Sequence, residues 1–209
     1  MRNFQLLIKR IFDFCVSLIL AIILSPFFLL VSLLIKISSE GPVYFKQQRP
    51  GLHGEIFEVY KFRTMKPGSE KMITGKEVLL NDNRITTIGK YLRRFKVDEL
   101  PQIFNVLKGE MSLVGPRPER LASLDAYTDE ISKRLDIVPG MTGLAQVSGN
   151  IYITLQDRYK YDIYYAENFN IWLDVKIIFR TIGVILFGED KYINNSLVNI
   201  KVAVKENNI

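Results

Sequence analysis

The sequence predicts a helix-rich α/β protein, one small globular domain carried on an N-terminal membrane helix. Three observations predict it. Residues 16–35 form an uncharged apolar run with Lys or Arg on both sides. Two stretches rich in aromatic and β-branched residues, 43–47 and 56–62, flank the turn signal Gly51-Leu52-His53-Gly54 and read as a hairpin. Beyond them, apolar residues recur at helical spacing, with no internal repeat or low-complexity linker to divide the chain. The organisation is therefore an anchor at 1–38, a single domain at 39–190 and a polar tail at 191–209.

The apolar run has 20 residues, enough to cross a hydrocarbon core of ~30 Å. It is interrupted by Ser25-Pro26. Pro26 has no N–H and its ring crowds the carbonyl of Ile22, so a sharp bend is expected, with the Ser25 hydroxyl able to bond a freed carbonyl. Arg2, Lys9 and Arg10 precede the run and Lys36, Lys46 and Arg49 follow it, so the positive charge favours neither end. Two topologies satisfy these residues equally: a re-entrant hairpin returning to the same face, and a plain spanning anchor. A cleaved signal peptide fits less well, because the run exceeds an ordinary h-region and Lys36-Ile37-Ser38-Ser39 is a poor cleavage site. Cys15 is the only cysteine. It excludes a disulfide framework and a sulfur-based zinc site, and it reads as a small buried hydrophobe. The formal charge of +6 suits an anionic leaflet or a phosphate-bearing substrate. Nucleic acid suits the charge but not the anchor.

Along the domain, Glu40-Gly41-Pro42 is a turn and His53, between two turn glycines, reads as a loop residue. Residues 66–83 are polar and read as a loop, whereas 84–96 and 99–107 read as short helices. Residues 119–135 place Leu121, Leu124, Ile131 and Leu135 at helical spacing. Thr154 with Asp157 starts a further helix as a capping box, with Tyr159, Tyr161, Tyr164 and Tyr165 on a face that reads as core. Residues 171–187 carry Lys176 and Arg180 amid apolar residues, the pattern of a helix lying on a bilayer, and Trp172 suits its interface.

Four clusters concentrate chemistry between residues 61 and 149. Asp98-Glu99-Leu100-Pro101 reads as a helix start with Asp98 as N-cap and Pro101 in the first turn. A helix N-terminus favours ionised carboxylates, and Arg93-Arg94-Phe95-Lys96 just before it supplies cations for phosphates. One carboxylate together with substrate phosphates could hold Mg²⁺ while the other serves as nucleophile or base. Adjacent helical residues point ~100° apart, which suits two distinct roles. In Gly115-Pro116-Arg117-Pro118 the prolines stiffen the display of Arg117, a phosphate grip. Lys61-Phe62-Arg63-Thr64-Met65 places two cations on one strand face. The segment 139–149, which contains Gln146, reads as a turn and strand whose glycines permit close backbone approach. Each cluster alone also has a plain structural reading, as cap, ion pair, solvated face or turn.

Together, their order and wording resemble the monotopic phosphoglycosyl transferases of the bacterial sugar transferase family. The resemblance runs over 9–187 and is most specific in the block 97–119, from Val97-Asp98-Glu99-Leu100-Pro101 to Gly115-Pro116-Arg117-Pro118-Glu119. It implies an α/β domain on the cytoplasmic face of the bacterial inner membrane, an N-terminal re-entrant membrane helix broken at Ser25 and Pro26, and interfacial amphipathic helices. The implied reaction moves a phosphosugar from a UDP-sugar to a polyprenol phosphate such as undecaprenyl phosphate, releases UMP and starts glycan assembly. By position Asp98 is the nucleophile of a covalent intermediate, Glu99 holds Mg²⁺, and Lys61, Arg63, Arg93, Arg117 and Gln146 bind phosphate or nucleotide. Downstream glycosyltransferases are expected partners. Many members carry an arginine soon after the glycine matching Gly149; here Asn150-Ile151 stand there, a departure that bears on one nucleotide or sugar contact and not on the class. The chain resembles the minimal catalytic form. A direct ternary-complex transfer and a non-catalytic membrane scaffold are the competing readings.

Overall fold

A computed structural model describes residues 2–69, 82–193 and 195–200. Most of the expected 66–83 loop and the end of the tail lie outside the described residues. Helix α1, Arg2–Ser38, runs uninterrupted through Pro26, so the expected break at Ser25 and Pro26 is not an interruption of the helix; it is about 55 Å long at 1.5 Å per residue. The Ser25 hydroxyl donates to the Ile22 carbonyl at 2.8 Å, the group that Pro26 leaves without its helical N–H partner. One face of α1 is buried: Lys9, Asp13 and Ser17 in its first half, Phe28, Val31 and Ile35 in its second. The opposite face exposes Phe4, Leu7, Ile11, Ile19, Ile22, Ile23, Leu29, Leu33 and Ile37. Cys15, expected to be buried, is exposed, because two residues from Asp13 is about 200° around the helix.

Both ends of α1 are fastened to the domain. Arg2 donates to the Ala166 carbonyl at 2.8 Å, Lys9 Nζ meets Asp174 Oδ2 at 2.6 Å, and Ser112 Oγ donates to Asp13 Oδ2 at 2.6 Å. At the far end Phe28 packs edge-on to Phe62 with centroids 5.6 Å apart, and Arg63 Nη2 donates to the Ser39 carbonyl at 2.8 Å.

Strands β1, Tyr44–Pro50, and β2, Ile56–Phe62, form the expected antiparallel hairpin, with Tyr44 opposite Phe62. His53 is a loop residue, at φ 54°. Helix α2, Thr87–Arg94, starts at Thr86, whose side chain accepts from the Gly89 N–H. A 3-10 turn, Val97–Gln102, then leads into α3, Ile103–Lys108. The chain returns through β3, Ser112–Val114, which pairs in parallel with β4, Gly140–Thr142. The glycines around this pair work by close approach. A Cβ on Gly140 would lie 2.0 Å from the Gly115 nitrogen, and one on Gly143 2.2 Å from the Gly115 oxygen.

The expected helix over 119–135 is instead split into a 3-10 turn at Leu121–Ala126, α4 at Asp129–Ser132 and a second 3-10 turn at Lys133–Leu135. Thr128 caps a new start by accepting from the Ile131 N–H, which a continuous helix would not allow. Helix α5, Leu155–Asn168, begins at Thr154 as expected, and Tyr159, Tyr161 and Tyr165 are buried in the core. Helix α6, Ile171–Phe187, buries Leu173 and Ile177 and exposes Trp172 and Phe179.

Among the described residues the hydrophobic core has three parts. Val114, Leu144, Tyr161, Tyr165 and Ile177 join α5 and α6 to the β3–β4 region. Phe28, Ile35, Phe62, Leu92 and Ile103 join α1 to the hairpin and α2. Phe57, Val59, Val106 and Met111 seat α3 on the hairpin. A tight contact ties α2 to the chain after β2, where a Cβ on Gly89 would lie 2.1 Å from the Thr64 carbonyl oxygen. Gly89→Ala should therefore cost about 1–3 kcal/mol, the usual penalty of overpacking against backbone. Denaturant unfolding of the detergent-solubilised protein checks it, and an unchanged midpoint would mean that α2 shifts freely.

Candidate active site

The acid pair lies where α2 ends and the 3-10 turn begins. Lys96 adopts a left-handed conformation, φ 56°, and is the N-cap, so Asp98 and Glu99 both fall in the first turn. Asp98 is thus not the N-cap itself. Lys96, two residues before Asp98, takes the left-handed conformation that links α2 to the 3-10 turn.

Glu99 is held by two cations. Lys61 Nζ lies 2.7 Å from its Oε1, and Arg117 grips it with its two terminal nitrogens, Nη2 to Oε1 at 2.6 Å and Nη1 to Oε2 at 3.1 Å. Lys61 comes from β2 and Arg117 from the segment after β3, so the bidentate pair closes hairpin, acid turn and loop on one another. Burial alone would raise the Glu99 carboxyl, but Arg117 and Lys61 outweigh it and hold Glu99 well below the ordinary glutamate value. Burial lowers Lys61, with Glu99 opposing the shift. Glu99, chiefly through its charge, raises Arg117 further.

Asp98 is the contrasting member of the pair. It has no hydrogen-bond partner among the described residues. Its carboxyl is raised above the ordinary aspartate value by burial first and by the Glu99 charge second, against the pull of Lys61, Arg93 and Lys96. The helix start and nearby arginines were expected to favour the ionised form; burial and the neighbouring carboxylate win. A carboxylate of higher proton affinity that is not tied up in hydrogen bonds is the better nucleophile or base.

The other expected phosphate ligands divide. Arg93 stands near the pair, its Nε donating to Thr64 Oγ1 at 2.9 Å. Arg63 is not brought in. It lies just beyond β2, is buried, and its guanidinium turns to Ser39 at the end of α1. Gln146 donates to the carbonyl of Met141 in β4 at 3.1 Å. Two residues not foreseen belong to the site. Arg49 shares a small cavity with Lys61, Gln102 and Arg117, and its pKa falls to about 10 through burial and the Arg117 charge. Arg134, fully enclosed, donates to the Arg117 carbonyl at 2.8 Å while paired with Asp162, and so fixes the backbone that displays Arg117. Its sequence signal was a cation four residues before Val138-Pro139, too generic to single out.

No group of three or more His, Cys, Asp or Glu side chains converges among the described residues. Mg²⁺ is commonly held by one or two carboxylates with substrate phosphates and water completing six oxygens. Asp98 is open to a cation that arrives with phosphates, whereas Glu99 would bind one only by exchanging a contact to Lys61 or Arg117. They do not form an all-protein cage.

The bacterial sugar transferase family model matches residues 4–188. The chain is 38% identical over 184 residues to the uncharacterized sugar transferase EpsL of Bacillus subtilis, covering 88% of this chain and 90% of that protein. It is 40% identical over 202 residues to the undecaprenyl-phosphate galactose phosphotransferase of Salmonella typhimurium, covering 88% of this chain but 42% of that protein. It is 43% identical over 188 residues to the UDP-N-acetylgalactosamine-undecaprenyl-phosphate N-acetylgalactosaminephosphotransferase of Aeromonas hydrophila, covering 87% of this chain and 44% of that one. The chain thus spans less than half the length of these two relatives with a named reaction.

Proposed function

The chain belongs to the bacterial sugar transferase family, and from that premise we propose that it is a phosphoglycosyl transferase moving a phosphosugar from a UDP-sugar to a polyprenol phosphate. The observation that carries the mechanism is the division of labour in the acid pair. Glu99 is neutralised by Lys61 and Arg117, whereas Asp98 beside it keeps an uncommitted carboxylate. Asp98 attacks the β-phosphorus of the UDP-sugar. An Asp98 O–P bond forms as the bond from that phosphorus to the bridging oxygen breaks, and UMP leaves with the bridging oxygen. A phosphate oxygen of the lipid then attacks the same phosphorus and Asp98 departs, giving polyprenol diphosphate sugar. Arg93, which makes no bond to Glu99, binds and neutralises the phosphates, while Lys61 and Arg117 hold Glu99 and add positive field beside them. Mg²⁺ would be held by Glu99 in exchange for part of its contact with Lys61 and Arg117, and would add neutralisation of the diphosphate charge.

Glu99→Gln keeps the shape but removes a charge and leaves two cations facing each other. Turnover should fall about tenfold to several-hundredfold, and the Mg²⁺ concentration for half-maximal rate should rise. An unchanged rate and Mg²⁺ titration would reduce Glu99 to a structural ion pair. The raised proton affinity of Asp98 also suits a general base for the lipid phosphate in a ternary complex. That reading gives no UMP without acceptor.

We also propose that α1 is re-entrant, with the domain on the cytoplasmic face of the inner membrane. A spanning helix would carry one flank ~30 Å across the bilayer, yet here Arg2 and Ser39, at opposite ends, both contact the one domain. In a Cys15→Ser background, single cysteines at positions 2 and 41 should both be shielded from an impermeant reagent outside intact cells. Pro26→Leu, which restores the helical hydrogen bond, should expose position 2. Labelling of position 2 in the chain with Pro26 intact would overturn the re-entrant topology.

A further inference from the structure

Away from the acid pair, helix α6 and the segment after it form an open groove of about 480 Å³ lined by Trp172, Val175, Lys176, Phe179, Arg180, Tyr192 and Leu197. Trp172, Lys176 and Arg180 stand four residues apart, on one side of the helix. Trp172 is 75% and Phe179 70% exposed. Such aromatic exposure is unfavourable in water and favourable at a bilayer interface.

The polar part of the groove is built. Arg180 Nη1 donates to the Asn195 carbonyl at 2.8 Å, and its guanidinium lies 4.7 Å from the centre of the Tyr192 ring. Tyr192 is itself seated on α6, since a Cβ on Gly183 would lie 2.3 Å from its hydroxyl. Both partners of Arg180 are neutral. Among the described residues neither Arg180 nor Lys176 has a carboxylate partner, although the chain pairs many of its other cations. Two uncompensated cations at the rim of an aromatic trough, continuing along α6 to exposed Ile182, Leu186 and Phe187, match a ligand with an anionic head and apolar chains.

We propose that this groove binds an anionic phospholipid of the surrounding leaflet, its phosphodiester between Lys176 and Arg180 and its acyl chains along Phe179 and Ile182. The occupant is a resident lipid rather than the acceptor. None of Lys61, Arg93, Asp98, Glu99 and Arg117 lines the groove, so an acceptor phosphate held there would not face the acid pair. The proposal stands independently of the reaction.

Trp172 is the only tryptophan in the chain and lies in the groove wall, so its fluorescence reads occupancy directly. The full chain in non-ionic detergent is titrated with monomeric dihexanoyl phosphatidylglycerol and with dihexanoyl phosphatidylcholine. Phosphatidylglycerol should half-saturate the change at a concentration at least tenfold lower, a preference that weakens with salt. Lys176→Gln/Arg180→Gln should bring the two lipids within about twofold of each other. Gly183→Ala, which displaces Tyr192 but keeps both cations, should give an intermediate loss. Equal half-saturation by the two lipids, or full preference retained in the double variant, would overturn the proposal. So would glycerol phosphate acting as well as the lipid, which would mark a soluble-anion site, or farnesyl phosphate binding tenfold tighter than phosphatidylglycerol, which would mark an acceptor site. The readout needs no turnover and separates this site from the acid pair.

Discussion

Asp98→Asn should reduce sugar-phosphate transfer by about 10⁴-fold or more, the scale on which removal of a covalent nucleophile acts, while leaving the fold within about 0.5 kcal/mol of the parent. Both halves follow from the site. The Asp98 carboxylate has no hydrogen-bond partner among the described residues, so the amide breaks no contact. It also removes an anion whose proton affinity burial and Glu99 have raised. The measurement is UMP release with donor and acceptor, alongside an unfolding curve in the same detergent. Loss of activity accompanied by loss of structure would reassign Asp98 to folding, and retained activity would remove it from the chemistry.

The second large effect is on stability, at Arg134. This side chain is 2% exposed, pairs with Asp162, donates to the Tyr127 hydroxyl and the Arg117 carbonyl, and lies 4.9 Å from the centre of the Tyr159 ring. Arg134→Met keeps much of the volume but strands a buried carboxylate, at a cost of about 3–5 kcal/mol. Most of that loss should return in Arg134→Met/Asp162→Leu, which removes the stranded charge. The pH dependence has a definite sign. Burial already lifts Asp162 above the ordinary aspartate value, with Arg134 opposing it, so deleting Arg134 lifts it further. An acid whose proton affinity is higher in the folded state destabilises as it ionises. The deficit should be smallest below the unfolded aspartate value of about 4 and fully present above the raised value. A deficit independent of pH would point to lost packing. The single variant should also lower turnover through the loosened Arg117 backbone, which the double variant should not restore.

Much of this architecture could be read from the residues because the signals were local. The Ser25 hydroxyl meets the carbonyl that Pro26 frees, the hairpin forms around Gly51 and Gly54, and Thr154 starts α5, each set within a few positions. What stayed hidden is set by partners distant in sequence. Strand β3 has three residues, too few for a period, and exists because Gly115 and Gly140 let two backbones touch. Arg63 alternates with Lys61 on paper, but the strand ends at Phe62 and the end of α1 captures the guanidinium. The 119–135 segment has helical spacing throughout, yet Thr128 restarts the helix and Arg134 turns inward to a partner 28 residues away. The acid pair itself was legible as a motif. Its asymmetry was not, because Lys61 and Arg117 reach Glu99 from 38 and 18 residues away.

The most direct test of covalent catalysis by Asp98 is a single turnover without acceptor. Purified chain, Mg²⁺ and a panel of UDP-sugars are mixed in the absence of polyprenol phosphate, and UMP and intact protein mass are followed together. The expected result, for the sugar that the site accepts, is a burst of UMP near one per active enzyme and a mass gain of one phosphosugar. Peptide mapping should locate it on Asp98, and polyprenol phosphate should discharge it. A chain that turns over with acceptor present, yet gives neither burst nor adduct without it, would contradict the covalent route and assign Asp98 to proton transfer in a ternary complex.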